Sequence, residues 1–596
     1  MGESAYKMYE KSESKAYRPR FRADTALLKQ WLGKRKASLE AVRHDFEALW
    51  KEIRLYFEPN IGKALLNSDD RDNSASARED EKILNSEPRL CVQRYGAGMQ
   101  SGITNKAQPW CTIVPKGVDE KSSRNPKLNE WCNTATSEIL SALERGNFYR
   151  TSGQVYPHAA LLGTSCVMVL RGDEPGDIAF KIIDEGDYWI AENKYGEVTT
   201  LMRRISMTIS QAAEEFFITA LPELWQQRLK DGKGEERVEV WNLICPNEEN
   251  ELFVDAAAER PYISFYWTPN SSTANNDSNG IIDIRSFSYK PFACLRQIDS
   301  GSVYGKSIGE MTLADNKELQ ELEEYEVRMI ANEAMPSMLA PSSMKGKPIN
   351  QFPGGVTYYD MVMGGNNAPV QRLFETREGI DKVDAKIQII SDRIGRFWYN
   401  DLFAMMLQVN EHNRAQKTAT EVSELSGEKI TLLGPVLTQT DDFLTSIIDA
   451  VFTILYADGI IPQAPEEIAT GTAEISVEYT STIHAEMKAA LKMRAINAMI
   501  QMVSMLAQAK PEALDKVNCD EIIDEACKIY PGAAAFIYDS KEVAAIREAK
   551  NAKEQQMVAD QQMLELAKTA GANAKALSET RVGNGNALDA LMAGGI

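Results

Sequence analysis

The sequence predicts an α+β chain of several domains, organised around a pair of long helices. Three observations carry that prediction. At 596 residues the chain is too long for one core. Residues 376–401 place Ile380, Val383, Ile387, Ile390, Ile394 and Phe397 at spacings of 3, 4, 3, 4 and 3, an apolar stripe that lets one helix pack along another. From Ile178 to Ile284 strand-like runs dominate instead: Ile178–Ile183, Val198–Ile205, Arg237–Ile244, Glu251–Val254 and Tyr262–Trp267.

Taken in order, residues 1–24 are polar and read as a mobile tail. Leu39, Val42, Phe46, Leu49, Ile53 and Tyr56 give another helical stripe, which ends at Pro59. Asn67–Asp80 has almost nothing to bury and reads as a loop. Ile83–Ile103 reads as helix around Pro88, and Pro109-Trp110 leads into a short strand to Val114. Lys127–Glu144 is helical, and Tyr156–Leu170 passes from helix to a β-rich run. A small helix, Ile209–Phe217, interrupts the strands; Thr268–Gly280 is a polar loop and Pro291–Gln297 the last strand.

The helix Glu310–Met335 carries Leu319, Leu322, Tyr325 and Met329 on one side and is stopped by Pro336. Residues 337–375 are a compact insert of turn signals around short strands such as Val356–Tyr359. After the striped helix comes a loop, Leu402–Lys417. Thr418-Ala-Thr-Glu421 has the spacing of a capping box and opens a helix running to Asp458-Gly459. Gly434-Pro435 should kink that helix, because proline lacks the N–H and clashes with the preceding turn. Pro462 and Pro465 mark a linker; a strand Glu474–Tyr479 and helices Met487–Gln508, Ile522–Tyr530 and Ser540–Thr569 follow.

Composition excludes several functions. No apolar run approaches the roughly 18 residues of a membrane span, and the N-terminus lacks the apolar core of a signal peptide. The eight cysteines are scattered without a CxxC, and there are only four histidines, so a metal site is not expected and the thiols read as reduced. The net charge of −20 disfavours tight wrapping of DNA, though not its passage.

One motif tempts. Gly301-Ser-Val-Tyr-Gly305-Lys306-Ser307 follows a strand and precedes a helix, as a phosphate-cradling loop does, but it has three residues between its glycines where four are needed. It reads as a glycine turn entering a helix, and no cofactor is expected. Neither a Gly-x-Ser-x-Gly elbow nor a His-Glu-x-x-His occurs, and His44, His158 and His484 read as structural. Charge is more informative. Residues 310–334 contain eight acidic and two basic residues, so Glu318, Glu321 and Glu324 could line a channel that repels phosphates, or simply face solvent. Arg377, Lys382, Lys386, Arg393 and Arg396 of the next helix could pair with those acids.

The run Arg414…Thr420-Glu421-Val422…Glu428…Leu433-Gly434-Pro435 resembles the phage portal proteins, the head-to-tail connectors, in the form found in short-tailed phages. Trp50…Tyr56…Pro59, Gln108-Pro109-Trp110, Gly163-Thr164 and Tyr304-Gly305 before the first long helix are similar to that family too, in the same order. The resemblance implies a wing over 1–306 and stem helices over 307–336 and 376–401. It also implies a clip over 337–375, a tunnel loop over 402–417, a kinked wing helix over 418–459 and a helical crown over 460–596. It implies a dodecameric, non-enzymatic ring at one capsid vertex, assembled in the host cytoplasm with capsid and scaffolding proteins and kept in the virion. The terminase large subunit and later tail adaptors would dock on the clip, through Lys345, Lys347, Asn366 and Asn367. Asn410, His412, Asn413, Arg414 and Lys417 would face the passing double-stranded DNA, whereas a competing reading packs Phe403, Met405, Met406 and Leu407 inside the subunit's own core. Two rival functions are a nucleotide-dependent enzyme built on 301–307 and a generic helical scaffold.

Overall fold

The computed structural model describes residues 25–66, 83–116, 126–172, 174–216, 218–247, 260–268, 280–335, 338–339, 371–372, 377–406, 433–465, 468, 474–485 and 487, and beyond them 499, 502, 543, 553, 561–573, 575–576, 579, 581–582 and 585–586. The chain divides into two compact units, Met1–Ala490 and Leu491–Ile596.

The first unit opens with α1 (Thr25–Phe57). Leu28, Leu32, Leu39, Trp50, Ile53 and Phe57 are buried along it, but Val42, expected in the stripe, is exposed. Arg43 is buried in its stead. Its guanidinium lies 4.3 Å from the Trp189 ring centroid and donates to the carbonyls of Tyr188 (2.8 Å) and Gly186 (3.0 Å). A cation so partnered can enter a core that would expel a bare one. Next comes α2 (Glu87–Gly102), with Pro88 in its first turn, where a missing N–H leaves nothing unsatisfied. Residues 83–86, expected in this helix, therefore lie outside it.

Strand β1 (Cys111–Lys116), α3 (Pro126–Arg145), α4 (Phe148–Leu162), β2 (Thr164–Arg171) and β3 (Ile178–Ile183) follow. The next five strands, β4 (Tyr188–Glu192), β5 (Val198–Thr208), β6 (Arg237–Pro246), β7 (Tyr262–Trp267) and β8 (Ile281–Phe287), form an antiparallel meander in that order. Between β5 and β6 lie α5 (Ile209–Glu215), which starts with a Thr208–Gln211 capping box, and α6 (Glu223–Lys230). The period of two is clear. Trp189, Met202, Trp241, Leu243 and Phe265 cluster with Leu28, Leu32 and Leu39 of α1. Val238, Val240, Tyr266 and Ile282 cluster with residues of α5 and α6. The sequence reading missed β4, β8 and α6. The first is five residues long, and α6 buries only Trp225 and Leu229, too little for a periodic signal. The expected strand Glu251–Val254 lies outside the described residues.

Strand β9 (Phe292–Arg296) completes the sheet β3-β2-β9. Then come α7 (Ile308–Ala334), the paired strands β10 (Met338–Leu339) and β11 (Gln371–Arg372), α8 (Arg377–Phe397), α9 (Asn400–Met406) and α10 (Gly434–Ala457). Pro435 stands in the first turn of the described helix α10, and the expected stretch before it, 418–432, lies outside the described residues. β12 (Glu474–Tyr479) pairs antiparallel with β1 within the first unit. One large core joins α1, α2, α4, β2, β9, α7, α8 and α10. In the second unit residues 561–573 are helical, and β13 (Arg581–Val582) and β14 (Gly585–Asn586) form a hairpin.

Candidate channel-lining and assembly surface

Helices α7 and α8, expected to form the stem, pack along one another. Ser307 caps α7, its Oγ accepting from Glu310 N–H at 2.7 Å. The first half of this helix is rooted in the body by a feature the sequence reading missed: Thr312, Asn316 and Gln320, at helical spacing, are all buried and polar. Asn316 donates to Tyr56 O at 2.9 Å. Gln320 accepts from the Leu84 and Asn85 N–H groups and donates to Asn85 O and Asn316 Oδ1. The signal was present as small polar residues every fourth position, but period alone does not tell a satisfied polar stripe from a solvated one. Beyond Gln320 the helix leaves the body, and Tyr325, Val327, Ile330 and Met335 are exposed.

Helix α8 returns along it. Ile387, Ile390 and Ile394 are buried as the stripe predicts, and Val383 is half-buried. Phe397 departs from the prediction: it is 43% exposed, and Trp398 takes the inward position. The cause is local. The helix, expected to continue to Asp401, ends at Phe397, and Tyr399 adopts a positive φ of 55°. Trp398 thereby swings under α7, and its indole N–H reaches Thr312 Oγ1.

Two of the five basic residues of α8 expected to pair with acids of α7 do so. Lys386 lies 3.2 Å from Glu318 and Arg393 3.2 Å from Asp315. Of the proposed acidic lining, Glu318 is thus held by Lys386, Glu324 pairs with Arg328 one turn on, and Glu321 accepts the Tyr325 hydroxyl at 2.7 Å. The acidic surplus remains, but each of these three carboxylates carries a donor. Desolvation, Glu323 and Asp384 together push the Glu326 carboxyl above its usual range.

The loop residues Asn410, His412, Asn413, Arg414 and Lys417 and the clip residues Lys345, Lys347, Asn366 and Asn367 lie outside the described residues. Their supports do not. Leu402 and Phe403, expected to start the loop, belong to α9 and are buried, as is Leu433 at the foot of α10. The Phe403 ring meets Tyr95 edge-on at 5.6 Å and lies directly over Gly98. The insert is closed at its base by the β10–β11 pair, Met338 opposite Arg372 and Leu339 opposite Gln371.

The glycine turn at 301–307 is filled by the protein itself. Gly301 N–H donates to Asp299, Gly305 N–H to Thr164 Oγ1 at 3.0 Å and Lys306 N–H to Ile298 O at 2.9 Å. Tyr304 is buried between Phe46 and Trp50. A Cβ on Gly163 would lie 2.0 Å from Gly305 O, so two backbones close the space a phosphate would need. His158 pairs with Glu185 and His484 with Ser481 and Asp441, both within the packed body. Among the described residues no group of His, Cys, Asp or Glu is arranged to hold a metal, and no helix is long and apolar enough to cross a membrane.

Residues 29–536 match the family described as bacteriophage head to tail connecting protein. The portal protein of Salmonella phage epsilon15 is 27% identical over 94% of this chain and 98% of its own length. The probable portal protein of Bordetella phage BPP-1 is 27% identical over 90% of this chain and 92% of its own. Among solved structures, a chain in the neck of an empty GTA particle covers 77% of this chain and 90% of its own, with 9% identity and a TM-score of 0.33, too slight a likeness to carry an argument.

Proposed function

The chain belongs to the bacteriophage head to tail connecting proteins, and from that premise we propose that it is the subunit of a portal, a dodecameric ring at one capsid vertex through which DNA is packaged and ejected. The observation that carries this reading is the single continuous match over 29–536, which takes in the β-rich body, both stem helices and the chain beyond α10. The stem supports it. Val327, Ile330 and Ile389 are at least half exposed on one protomer, and neighbouring stems in a ring would cover them.

In this reading Glu318, Glu321 and Glu324 face the channel and soften its hold on phosphates, with part of their charge balanced within the subunit. The insert between β10 and β11 docks the terminase large subunit during packaging and tail adaptors afterwards, through Lys345, Lys347, Asn366 and Asn367. Capsid and scaffolding proteins surround the ring during assembly in the host cytoplasm. The chain itself performs no catalysis; ATP hydrolysis belongs to the docked motor. The enzyme reading loses its support because the Gly301, Gly305 and Lys306 N–H groups of the turn are already engaged within the protein.

Mass measurement in solution together with negative-stain electron microscopy tests the proposal. The expected result is a ring many times 66.4 kDa without ATPase activity. A monomer, or ATP hydrolysis by the purified chain, overturns it.

A further inference from the structure

In the β2–β9 ladder Cys166 stands directly opposite Cys294. Gln297 N–H donates to Gly163 O at 2.8 Å and Val169 N–H to Pro291 O at 2.9 Å, which marks 163/297 and 169/291 as hydrogen-bonded positions of this antiparallel pair. Such positions alternate, so 166/294 is a non-hydrogen-bonded pair. There the Cα atoms are about 4.5 Å apart and the side chains lie side by side on one face. That spacing falls inside the window of about 4.4–6.8 Å that a disulfide spans. After burial, Cys294 is the neighbour that most raises the Cys166 thiol. The sulfurs differ in access: Cys166 is fully buried and Cys294 only partly. Among the described cysteines no other faces a cysteine across a strand ladder: Cys111 is opposite Tyr479 and Cys245 opposite Ile263.

We propose that Cys166 and Cys294 are a redox-active dithiol, oxidised by small-molecule disulfides to a reversible cross-strand disulfide. The partly exposed Cys294, as thiolate, attacks one sulfur of the small disulfide and expels the other as a thiol, leaving a mixed disulfide on Cys294. Cys166 then loses its proton and attacks Cys294 Sγ, expelling the second small thiol. Two protein thiols are oxidised and one disulfide is reduced to two thiols. Burial holds the Cys166 thiol well above its ordinary pKa, which makes the second step the slower one. The bond closes residues 166–294 into one covalent loop. The whole meander β4–β8 lies within that loop, so oxidation staples the point where the chain enters and leaves it.

The test uses the full-length protein and does not depend on its forming a portal. Native protein is incubated with oxidised glutathione, free thiols are blocked by alkylation in denaturant, and the digest is mapped by mass spectrometry without reductant. The expected product is the Cys166 peptide joined to the Cys294 peptide with the loss of two hydrogens. Dithiothreitol should restore both thiols, and Cys294→Ser should leave Cys166 alkylated. The proposal is overturned if both cysteines remain alkylated, if glutathione stays on Cys294 as the final product, or if Cys166 is joined to any other cysteine. The parental digest decides the matter even should the variant fail to fold.

Discussion

Trp398 donates its indole N–H to Thr312 Oγ1 at 3.2 Å, and this bond ties the end of α8 to the first turns of α7. The Thr312 hydroxyl donates in turn to Ile308 O at 2.8 Å, which leaves its lone pairs free to accept. The indole is buried against Phe57 and Tyr95, at ring distances of 5.8 and 6.0 Å. Thr312→Val keeps the shape and strands the buried N–H, so it should cost about 1–3 kcal/mol. Thermal and urea unfolding of the purified protein measure this. An unchanged midpoint would show that the indole finds another acceptor.

The register of α8 separates two neighbouring aromatics and aliphatics. Ile394→Ala empties a fully buried position and should lower stability by about 2–5 kcal/mol. Phe397→Ala, at a position 43% exposed, should change the stability of one protomer by less than about 0.5 kcal/mol. Ile387→Asp, which buries an unpaired charge, should cost several kcal/mol and abolish rings or soluble protein. Chemical denaturation ranks the three; equal costs at 394 and 397 would place the stripe in the wrong register.

These residues also show what the sequence could reveal. Ile387, Ile390 and Ile394 were legible because a 3/4 spacing sustained over several turns has one simple cause, an apolar face against a neighbour. So were Ile178–Ile183, Tyr262–Trp267 and Glu474–Tyr479, whose bounds the structure reproduces. Arg43 was not, since a guanidinium on a helix looks solvated until Trp189 and two carbonyls are known to meet it. Nor was the partnering of β1 with β12, because a strand's sequence does not name its distant neighbour. Of the candidate site, the cross-stem pairing of Lys386 and Arg393 was readable from charge balance. The exchange of Phe397 for Trp398 was not, because it follows from the backbone turn at Tyr399.

His158 makes stability depend on pH. Burial alone would lower its imidazolium, but the Glu185 carboxylate, 2.8 Å from Nδ1, together with Asp184 and Glu58 outweighs it and the net shift is upward. A histidine raised on folding contributes fully below its unfolded value of about 6.5, and that contribution is lost as pH rises through the folded value. The melting temperature should therefore fall as pH increases from about 6 upward, and His158→Gln should flatten that part of the profile. Parallel profiles for the two proteins would show that the pair does not titrate there.

Gly98 supports the foot of the loop. A Cβ at this position would come within 2.1 Å of Phe403 Cδ1, and the ring has nowhere to go because Phe403 is fully buried. Alanine in a helix gains roughly 0.5–1 kcal/mol over glycine, whereas overpacking costs typically about 1–3 kcal/mol. The clash should win, so Gly98→Ala should lower the melting temperature. A rise in melting temperature would mean that α9 can shift away from α2.

The last prediction concerns residues 402–417, and it rests on the proposed portal. The segment's first residues are fixed: Leu402 and Phe403 are buried, and the chain re-enters the core at Leu433. Two rigid feet can hold out a tip between them. Asn410, His412, Asn413, Arg414 and Lys417 supply hydrogen bonds and positive charge there, and Glu411 is the sole acid in 402–417. With His412 neutral the segment carries a net charge of +1 in a chain of −20. A single weak attraction suits a guide for sliding DNA, because every phosphate neutralised tightly would add to the force needed to move it. Replacing Asn410, His412, Asn413, Arg414 and Lys417 together by Ser should therefore leave ring assembly intact, since none belongs to the buried feet. It should shorten the packaged DNA or increase its leakage. The comparison is between heads carrying mutant and parental rings; equal DNA length and equal leakage would remove these five side chains from the DNA path.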